Sequence, residues 1–219
     1  MLRRMSTAAA IASDLLARLP TMAEDERRLG LEIYRQLAEG EPVWRAALAE
    51  ALQVPTQAVD VLLGQPNLRS LTYLDDNKRI IGFGGLAIRP MPHRFNLHGR
   101  RLYTWCAWDS LFIPAILRQV AEVESPPPGG SGLVRLRVGR DGIERVDPED
   151  AVMSFLLPTA ETFRADALKA MANFCHYIFF FPDHKSAMAW TAQHPDTKVI
   201  SVPDAFELGR QMVAARWSP

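Results

Sequence analysis

The predicted secondary structure changes from helices to strands at a loop rich in glycine and proline, GFGGLAIRPMPH. This change constrains the fold most strongly. Before the loop, helical patterns run over about Ala23–Ala38, Val43–Leu52 and Gln57–Leu63, and Thr56 is placed to cap the third helix. After the loop, short apolar runs of strand type dominate. Helices that are segregated from strands along the chain predict an α+β fold.

A β-hairpin is predicted directly after the three helices. Its strands are Leu71–Leu74 and Arg79–Phe83, joined by a turn at Asp75–Lys78. Three helices followed by a hairpin are the order of elements in a winged helix. We therefore predict a helical, winged-helix-like N-terminal domain over residues 1–84, and a second domain over residues 85–219.

The second domain is predicted to be a mixed or antiparallel β-sheet core with flanking helices, and it carries both cysteines. A hairpin signal lies in LVRLRVGRDGIERV, where apolar and polar residues alternate around a turn. The other predicted strands are Arg101–Trp105, Val152–Leu157, Tyr177–Phe181 and Lys198–Val202. The predicted helices are Ser110–Val120, Ser186–His194 and Ala205–Trp217.

Charge and hydropathy argue against nucleic acid and membrane as partners. Lys plus Arg number 25 and Asp plus Glu number 25, so no net charge attracts nucleic acid or an anionic membrane surface. The helix that would enter a DNA groove, TQAVDVLLG, has no Lys or Arg, although phosphate contacts supply most of the affinity of such modules. No apolar run reaches the length of a membrane span. The N-terminal twenty residues loosely resemble a targeting peptide, but Ile11, Leu15 and Leu19 fit an amphipathic first helix better.

Cys106 and Cys175 are the two cysteines of the chain, too few for a disulfide scaffold. Such cysteines are typical of the reducing cytoplasm, where each is either a small buried apolar residue or a reactive thiolate. We therefore expect a cytoplasmic protein. A structural disulfide stays open as an alternative, because the sequence does not give the separation of the two residues.

Cys106 lies in the stretch RRLYTWCAWDSLFIPAIL, where a predicted strand ends and a predicted helix begins near Asp109. The two residues are three positions apart, so a helical turn would place both side chains on one side, with about 5–6 Å between their Cβ atoms. Asp109 is the only acidic residue within a turn of either cysteine. Cys175 follows 69 residues after Cys106, in the apolar stretch NFCHYIFFFP.

Two thiolates and a carboxyl group in apolar surroundings suit the cleavage of a carbon–mercury bond. Thiolate sulfur is a soft ligand that selects soft metals, and mercury is softer than the first-row metals. Two thiolates on the mercury raise the electron density at the attached carbon, which a nearby proton donor can then protonate. A carboxyl group in an apolar site has a raised pKa and can hold a proton at neutral pH. Asp109 is therefore the candidate proton carrier.

The sequence resembles the alkylmercury lyases (organomercurial lyases) of bacterial mercury resistance over most of its length. The resemblance is clearest in LAEGEPVWRAALAEAL with the VPTQAVDVLL that follows, in RRLYTWCAWDSLFIPAIL, in FCHYIFFF and in VISVPDAFELGRQ. The family motif Tyr-x-Trp-Cys-Ala-x-Asp is matched by Tyr103, Trp105, Cys106, Ala107 and Asp109. The family's second cysteine follows a Phe, which is matched by Phe174 and Cys175.

The resemblance implies a catalytic set of Cys106, Asp109 and Cys175, in which the thiolates hold mercury and the aspartate relays a proton to carbon. It also implies that the Hg(II) product stays on these groups until thiols or a mercuric reductase remove it. The implied substrate is an organomercurial, and the reaction needs excess low-molecular-weight thiol but no organic cofactor. Tyr103, Trp105 and Phe174 flank the reacting residues and are candidate residues of the substrate pocket.

The sequence departs from the family pattern at His176, where family members often have a further cysteine. A second non-catalytic cysteine is missing in the stretch SPPPGGSG. Neither belongs to the reacting set, so the departures bear on stability or on a secondary mercury site. Next to a strand cysteine, His176 is expected to be a structural residue on the opposite face, and His93 lies in a loop-like context and is expected at the surface.

Other functions remain open from the sequence. The first alternative is a winged-helix, thiol-based sensor that binds mercury or a similar metal without turnover, and a relative that has lost catalysis is another. Both cysteines are alternatively inert core residues, and a zinc site with Asp109 and His176 lacks the usual ligand spacing. Asp109 is alternatively a helix N-cap. Capping would lower the pKa of its carboxyl group, whereas proton donation requires an accessible neutral form.

Overall fold

A computed structural model describes residues 21–130, 132–156 and 174–218 of the chain. The helices in this part are α1 (Glu24–Leu37), α2 (Arg45–Leu52), α3 (Thr56–Gly64), α4 (Pro66–Arg69), α5 (Asp109–Leu117), α6 (His184–Thr191) and α7 (Val202–Arg216). The first amphipathic helix predicted around Ile11–Leu19 lies outside the described residues, and so does Leu157. None of the described helices combines the length and the apolar character that a membrane span requires.

The strands form two sheets. They are β1 (Thr72–Leu74), β2 (Ile80–Phe83), β3 (Leu86–Ala87), β4 (His93–Leu97), β5 (Arg100–Thr104), β6 (Ala121–Ser125), β7 (Val134–Val138), β8 (Ile143–Asp147), β9 (Val152–Leu156), β10 (Phe180–Phe181) and β11 (Thr197–Ser201). Eight strands form one sheet in the order β1-β2-β3-β5-β4-β6-β7-β8, and three form a second in the order β10-β9-β11. The described pairings are antiparallel. The prediction of helices with an antiparallel sheet is confirmed.

Alternation of apolar and polar residues explains why the large sheet has one buried face. In β4, β6 and β7 every second residue is buried, as the period of a strand requires. The turn between β7 and β8 closes where Gly139 N–H donates to the carbonyl of Gly142, at 2.9 Å. The hairpin predicted from LVRLRVGRDGIERV is therefore confirmed.

Two local predictions are wrong. Thr56 does not cap α3, because Pro55 occupies the N-cap position and Thr56 is already the first helical residue. The strand predicted over Tyr177–Phe181 is shorter, and Cys175–Tyr177 forms a 3₁₀ turn instead. The reason is Ser154: its hydroxyl donates to the carbonyl of Tyr177 at 2.8 Å and accepts from Phe179 N–H at 3.0 Å. These backbone groups therefore bond to a side chain instead of a neighbouring strand.

The N-terminal helices and the sheet share one apolar core. Strand β2 pairs with β3 directly across the predicted domain boundary at residues 84 and 85. An aromatic cluster joins three distant parts of the chain: the ring of Tyr34 in α1 lies 5.1 Å from that of Phe83 and 5.3 Å from that of Trp217, both edge to face. Gly30 leaves room for Trp217, since a Cβ there would lie 2.6 Å from its ring. The division into two domains stays a prediction.

We expect Trp217→Ala to lower the free energy of unfolding by about 3–5 kcal/mol, because it leaves a cavity between α1, β2 and α7. Trp217 is 6% exposed, whereas Trp44 is 55% exposed and serves as the matched control. The change Trp44→Ala is expected to cost roughly 0.5 kcal/mol, as surface substitutions do. Urea unfolding measures both. Equal losses in the two variants would show that the aromatic cluster does not hold α1 to the sheet.

Candidate active site

Cys106 is placed by the tight connection between β5 and α5. Thr104 Oγ1 donates to the carbonyl of Cys106 at 2.9 Å, and Ser110 Oγ donates to the carbonyl of Ala107 at 2.6 Å. These two hydroxyls satisfy carbonyl groups that have no partner in the sheet or the helix. Cys106 itself is completely buried. The connection therefore holds a buried thiol in a fixed position at the end of a strand.

Cys175 reaches the same place from the other sheet. It opens the 3₁₀ turn that Ser154 of β9 anchors, and its side chain is half-buried. The N–H of Ala107 donates to the carbonyl of Ile178 at 3.2 Å. This backbone hydrogen bond joins the connection that carries Cys106 to the segment that carries Cys175.

The three residues predicted to form the site are brought together. The sulfur atoms of Cys106 and Cys175 and a carboxylate oxygen of Asp109 all lie within 4.8 Å of one another. Asp109 Oδ2 accepts from the backbone N–H of Cys106 at 2.8 Å. Both cysteines are free thiols, so the alternative of a structural disulfide is wrong for this structure. Two sulfurs and one oxygen at this spacing can hold one soft metal ion.

Burial raises the pKa of both inner groups. Desolvation raises the pKa of the Asp109 carboxyl group to about 7, although hydrogen bonds from the Cys106 thiol and the Cys106 backbone oppose the shift. Desolvation also raises the pKa of the Cys106 thiol, and the neighbouring Cys175 and the charge of Asp109 add to this rise. Both groups can therefore hold a proton near neutral pH.

Asp109 is not a helix cap. Trp108 occupies the N-cap position of α5 and Asp109 is the first residue of the helix. Its carboxyl group bonds backwards to Cys106 N–H instead of forwards to the first turn. The raised pKa is the direction that proton donation requires and that capping would oppose.

Gly85 makes room for the Asp109 carboxyl group. A Cβ on Gly85 would lie 2.5 Å from the Asp109 carboxyl carbon, and the φ of +99° is one that side chains rarely adopt. Gly84 is packed in the same way against the Tyr34 hydroxyl, which donates to the Gly84 carbonyl at 2.6 Å. From the sequence, the GFGG stretch is predicted only to connect two domains, although its two adjacent glycines indicate a close approach of other groups to the backbone.

A cavity of about 530 Å³ opens in front of the three residues. Asp109 and Cys175 line it, while Cys106 lies behind them and does not. Trp105 and Phe174 line the cavity. Tyr103 is not among the lining residues. It lies on the sheet face opposite to its buried neighbours in β5.

Aromatic side chains form the inner wall of this cavity. The ring of Trp108 contacts those of Phe112, Phe155 and Phe174 with centroids 5.2–5.9 Å apart, and Trp108 Nε1 donates to the carbonyl of Ala205 at 2.9 Å. Edge-to-face packing of this kind fixes the rings and excludes water from one side of the site. The apolar wall is the physical cause of the raised pKa of Asp109.

Two histidines differ from expectation. His93 is buried and not at the surface, because it belongs to β4 and its Nδ1 lies 2.7 Å from Ser125 Oγ. Burial lowers the pKa of His93 to about 4, so the ring is neutral. His176 is exposed in the 3₁₀ turn and lines the cavity, and the expected position on the far face of a strand is wrong.

Comparison with known proteins decides the family. A model of the alkylmercury lyase family matches residues 86–214. The alkylmercury lyase of Staphylococcus epidermidis is 36% identical over 183 residues, which are 83% of this chain and 80% of that protein. The chain belongs to the alkylmercury lyase family.

Further relatives agree with this assignment. The alkylmercury lyase of Streptomyces lividans is 37% identical over 84% of this chain and 80% of that protein, and the one of Pseudomonas putida is 36% identical over 85% and 83%. The crystal structure of the mercury-bound form of MerB2 superposes with a TM-score of 0.71 at 20% identity, over 95% of this chain and 98% of that chain. The fold is therefore that of an alkylmercury lyase.

We expect Asp109→Asn to stabilise the protein at pH 8 but not at pH 4. Because the pKa of Asp109 is about 7 when folded and 3.8 ordinarily, the folded chain holds an extra proton between these values. The free energy of unfolding therefore falls as pH rises through this window, by about 1.4 kcal/mol for each pKa unit. The variant does not show this fall, because the asparagine side chain does not ionise. Urea unfolding at the two pH values measures the difference.

The matched control for this experiment is Asp183→Asn. Asp183 caps α6, and the backbone N–H of Ser186 holds the pKa of its carboxyl group below the ordinary value. The stabilisation of the folded protein by the Asp183 carboxylate is present above the unfolded pKa and is lost as pH falls. This variant is therefore expected to be less stable than wild type at pH 8. If both variants change stability with the same sign, the Asp109 carboxyl group is not buried as a neutral acid.

We also expect Gly85→Ala to displace the Asp109 carboxyl group and to move its titration midpoint by at least one pH unit away from about 7. Gly99 is the matched control, because its φ is +82° but no atom lies within 4 Å of the position of a Cβ. Carbon-13 NMR of labelled aspartate carboxyl groups reads the midpoint. An unchanged midpoint in Gly85→Ala would contradict the packing of Asp109 against this glycine.

Proposed function

We propose that this chain cleaves the carbon–mercury bond of organomercurials by protonolysis, and releases a hydrocarbon and Hg(II). The observation that carries the proposal is the cluster of two free thiols and one carboxyl group, with ligand atoms within 4.8 Å, behind an apolar cavity. Membership of the alkylmercury lyase family supports the same reaction. The catalytic roles of Cys106, Asp109 and Cys175 are part of this proposal.

Cys175 is proposed to capture the substrate first. Its thiol lines the cavity, whereas that of Cys106 is buried behind it. In excess thiol an organomercurial is the mercaptide R–Hg–S–R′. The sulfur of Cys175 replaces R′S on mercury, and its proton leaves with R′SH.

Cys106 and Asp109 then complete the reaction. The Cys106 sulfur and an Asp109 carboxylate oxygen lie within 4.8 Å of each other, and with a pKa of about 7 the ionised form of Asp109 is populated at neutral pH. This form takes the Cys106 proton as the sulfur binds mercury. With two thiolates on mercury, Asp109 passes the proton to carbon and the carbon–mercury bond breaks. The balance is R–Hg–SR′ plus two Cys thiols giving RH, R′SH and Hg(II) bound to two Cys thiolates. No oxidant or reductant is consumed.

Release of Hg(II) requires further thiol. Two molecules of R′SH exchange with the cysteines, give Hg(SR′)₂ and restore both thiols. We propose that a mercuric reductase is the other acceptor, and that no organic cofactor takes part. Both cysteines must stay reduced for every turnover, so we also propose the reducing cytoplasm as the place of action.

The N-terminal part is proposed to be winged-helix-like and to serve the lyase instead of DNA binding. Helices α1 to α3 precede the antiparallel strands β1 and β2, which is the order of a winged helix. Val59 and Leu63 of α3 are buried, so this helix uses its apolar face for packing. Tyr34 of α1 lines the cavity. A winged-helix mercury sensor without turnover is the alternative, and turnover separates the two.

We expect purified protein to release benzene from phenylmercury with many turnovers in excess thiol. In D₂O the product is expected to be monodeuterated, because the proton that replaces mercury comes from exchangeable groups. Each of Cys106→Ser, Cys175→Ser and Asp109→Asn is expected to lower the rate at least a hundredfold, within the range for loss of a positioned proton donor or nucleophile. Headspace gas chromatography with mass detection measures product and label.

The control is Asp183→Asn, which removes the same kind of carboxyl group outside the site and is expected to keep the rate within about twofold. A single equivalent of tightly held mercury with no benzene above the thiol-only blank would overturn the lyase and leave the sensor.

A further inference from the structure

Arg216 is an unexplained charge in the wall of the cavity. It lies in the last turn of α7, lines the cavity and is half-buried. The steps proposed above do not use it. A guanidinium group is always charged at neutral pH, so its burial requires a compensating partner.

The described part of the chain does not supply that partner. Arg216 Nε is buried without a hydrogen-bond partner, and no described carboxylate forms an ion pair with this side chain. Burial lowers the pKa of Arg216, although the Tyr34 hydroxyl group and the charge of Glu26 oppose the shift. Glu26 is engaged elsewhere: its Oε2 accepts from Ala23 N–H at 2.9 Å and from Asn67 Nδ2 at 3.0 Å.

Arg216 and the proton carrier Asp109 line the same cavity. Tyr34 also lines this cavity; burial raises the pKa of its hydroxyl group, and the charges of Asp109 and Arg216 act on it in opposite directions. Tyr34 bonds to Gly84, and the adjacent Gly85 packs on Asp109. Arg216 and Cys175 line one cavity, so a ligand held by Cys175 through mercury has Arg216 in the wall around it.

We propose that Arg216 binds a carboxylate group that enters the cavity attached to the mercury compound. Aromatic side chains and a guanidinium group in the lining of one cavity together fit a carboxylate carried by an apolar body, such as an arylmercury carboxylate. This inference rests on the proposed lyase reaction and names a substrate class for it. Arg216 acts as a specificity-determining residue and takes no part in bond cleavage.

The carboxylate that Arg216 binds can come from either of two parts of the mercury compound. In the mercaptide R–Hg–S–R′ it belongs either to the organic group R or to the thiol R′. Three pairs separate them: 4-(chloromercuri)benzoate with 2-mercaptoethanol, phenylmercury with 3-mercaptopropionate, and phenylmercury with 2-mercaptoethanol as the neutral reference. Benzoate is measured by liquid chromatography and benzene by headspace gas chromatography.

The variants are Arg216→Met and Arg216→Lys, with Arg89→Met as the matched control. Arg89 also lines the cavity, but it is exposed, so water already screens its charge. We expect Arg216→Met to lower kcat/KM for one carboxylate-bearing pair at least tenfold relative to the neutral pair, mainly through KM. Arg216→Lys is expected to recover part of this ratio. Arg89→Met is expected to move the ratio by less than about twofold.

The pair that responds identifies the source of the carboxylate. An equal change in all three pairs would show that Arg216 has only a structural role, and an equal response to Arg89→Met would show a general charge effect; either result overturns the inference. Absence of phenylmercury turnover by wild type would instead overturn the lyase. Titration calorimetry with the same three pairs still reads the carboxylate preference of Arg216 in that case.

Discussion

The hydrogen bond from the Ala107 N–H to the Ile178 carbonyl joins the two stretches of chain on which the site depends. One stretch ends a strand of the eight-stranded sheet and the other lies beside the three-stranded sheet. Ser154 holds the second stretch in a turn, and the β5–α5 connection holds the first. With both backbones fixed, the two sulfurs need no further ordering when mercury arrives, and most of the entropy of assembling the site is lost on folding instead of on binding.

The same arrangement buries an ionisable carboxyl group. Asp109 is enclosed by aromatic rings and by a glycine that approaches its carboxyl group, so its charged form is poorly solvated. A carboxylate at the surface would lower the stability of the protein less, but it would be a poor proton carrier. Sites that hold such groups reduce the stability of the whole molecule. The aromatic cluster of Tyr34, Phe83 and Trp217 and the cluster around Trp108 provide the apolar packing that offsets this loss.

Local patterns were enough to predict which residues meet at the site and most elements. Cys106 and Asp109 share one short motif, and the β7–β8 hairpin and helix α1 follow from their periodicity. What the sequence did not reveal depends on tertiary contacts. Ser154 is one serine among several until its hydroxyl meets the Tyr177 carbonyl, and His93 looks exposed until β6 brings Ser125 to its ring. Likewise, Tyr103 was expected in the pocket because it is close in sequence, although strand alternation directs it elsewhere.

Because the two thiols differ in burial, their rates of chemical modification report how often the structure opens around Cys106. Cys175 stands at the cavity, while Cys106 is completely enclosed. An alkylating reagent that modifies thiolates meets the first in the native molecule and the second only when the β5–α5 connection separates from its surroundings. The mass of the doubly modified chain, followed over time, therefore records how often this part of the molecule opens. The two natural cysteines therefore report local unfolding without an engineered label.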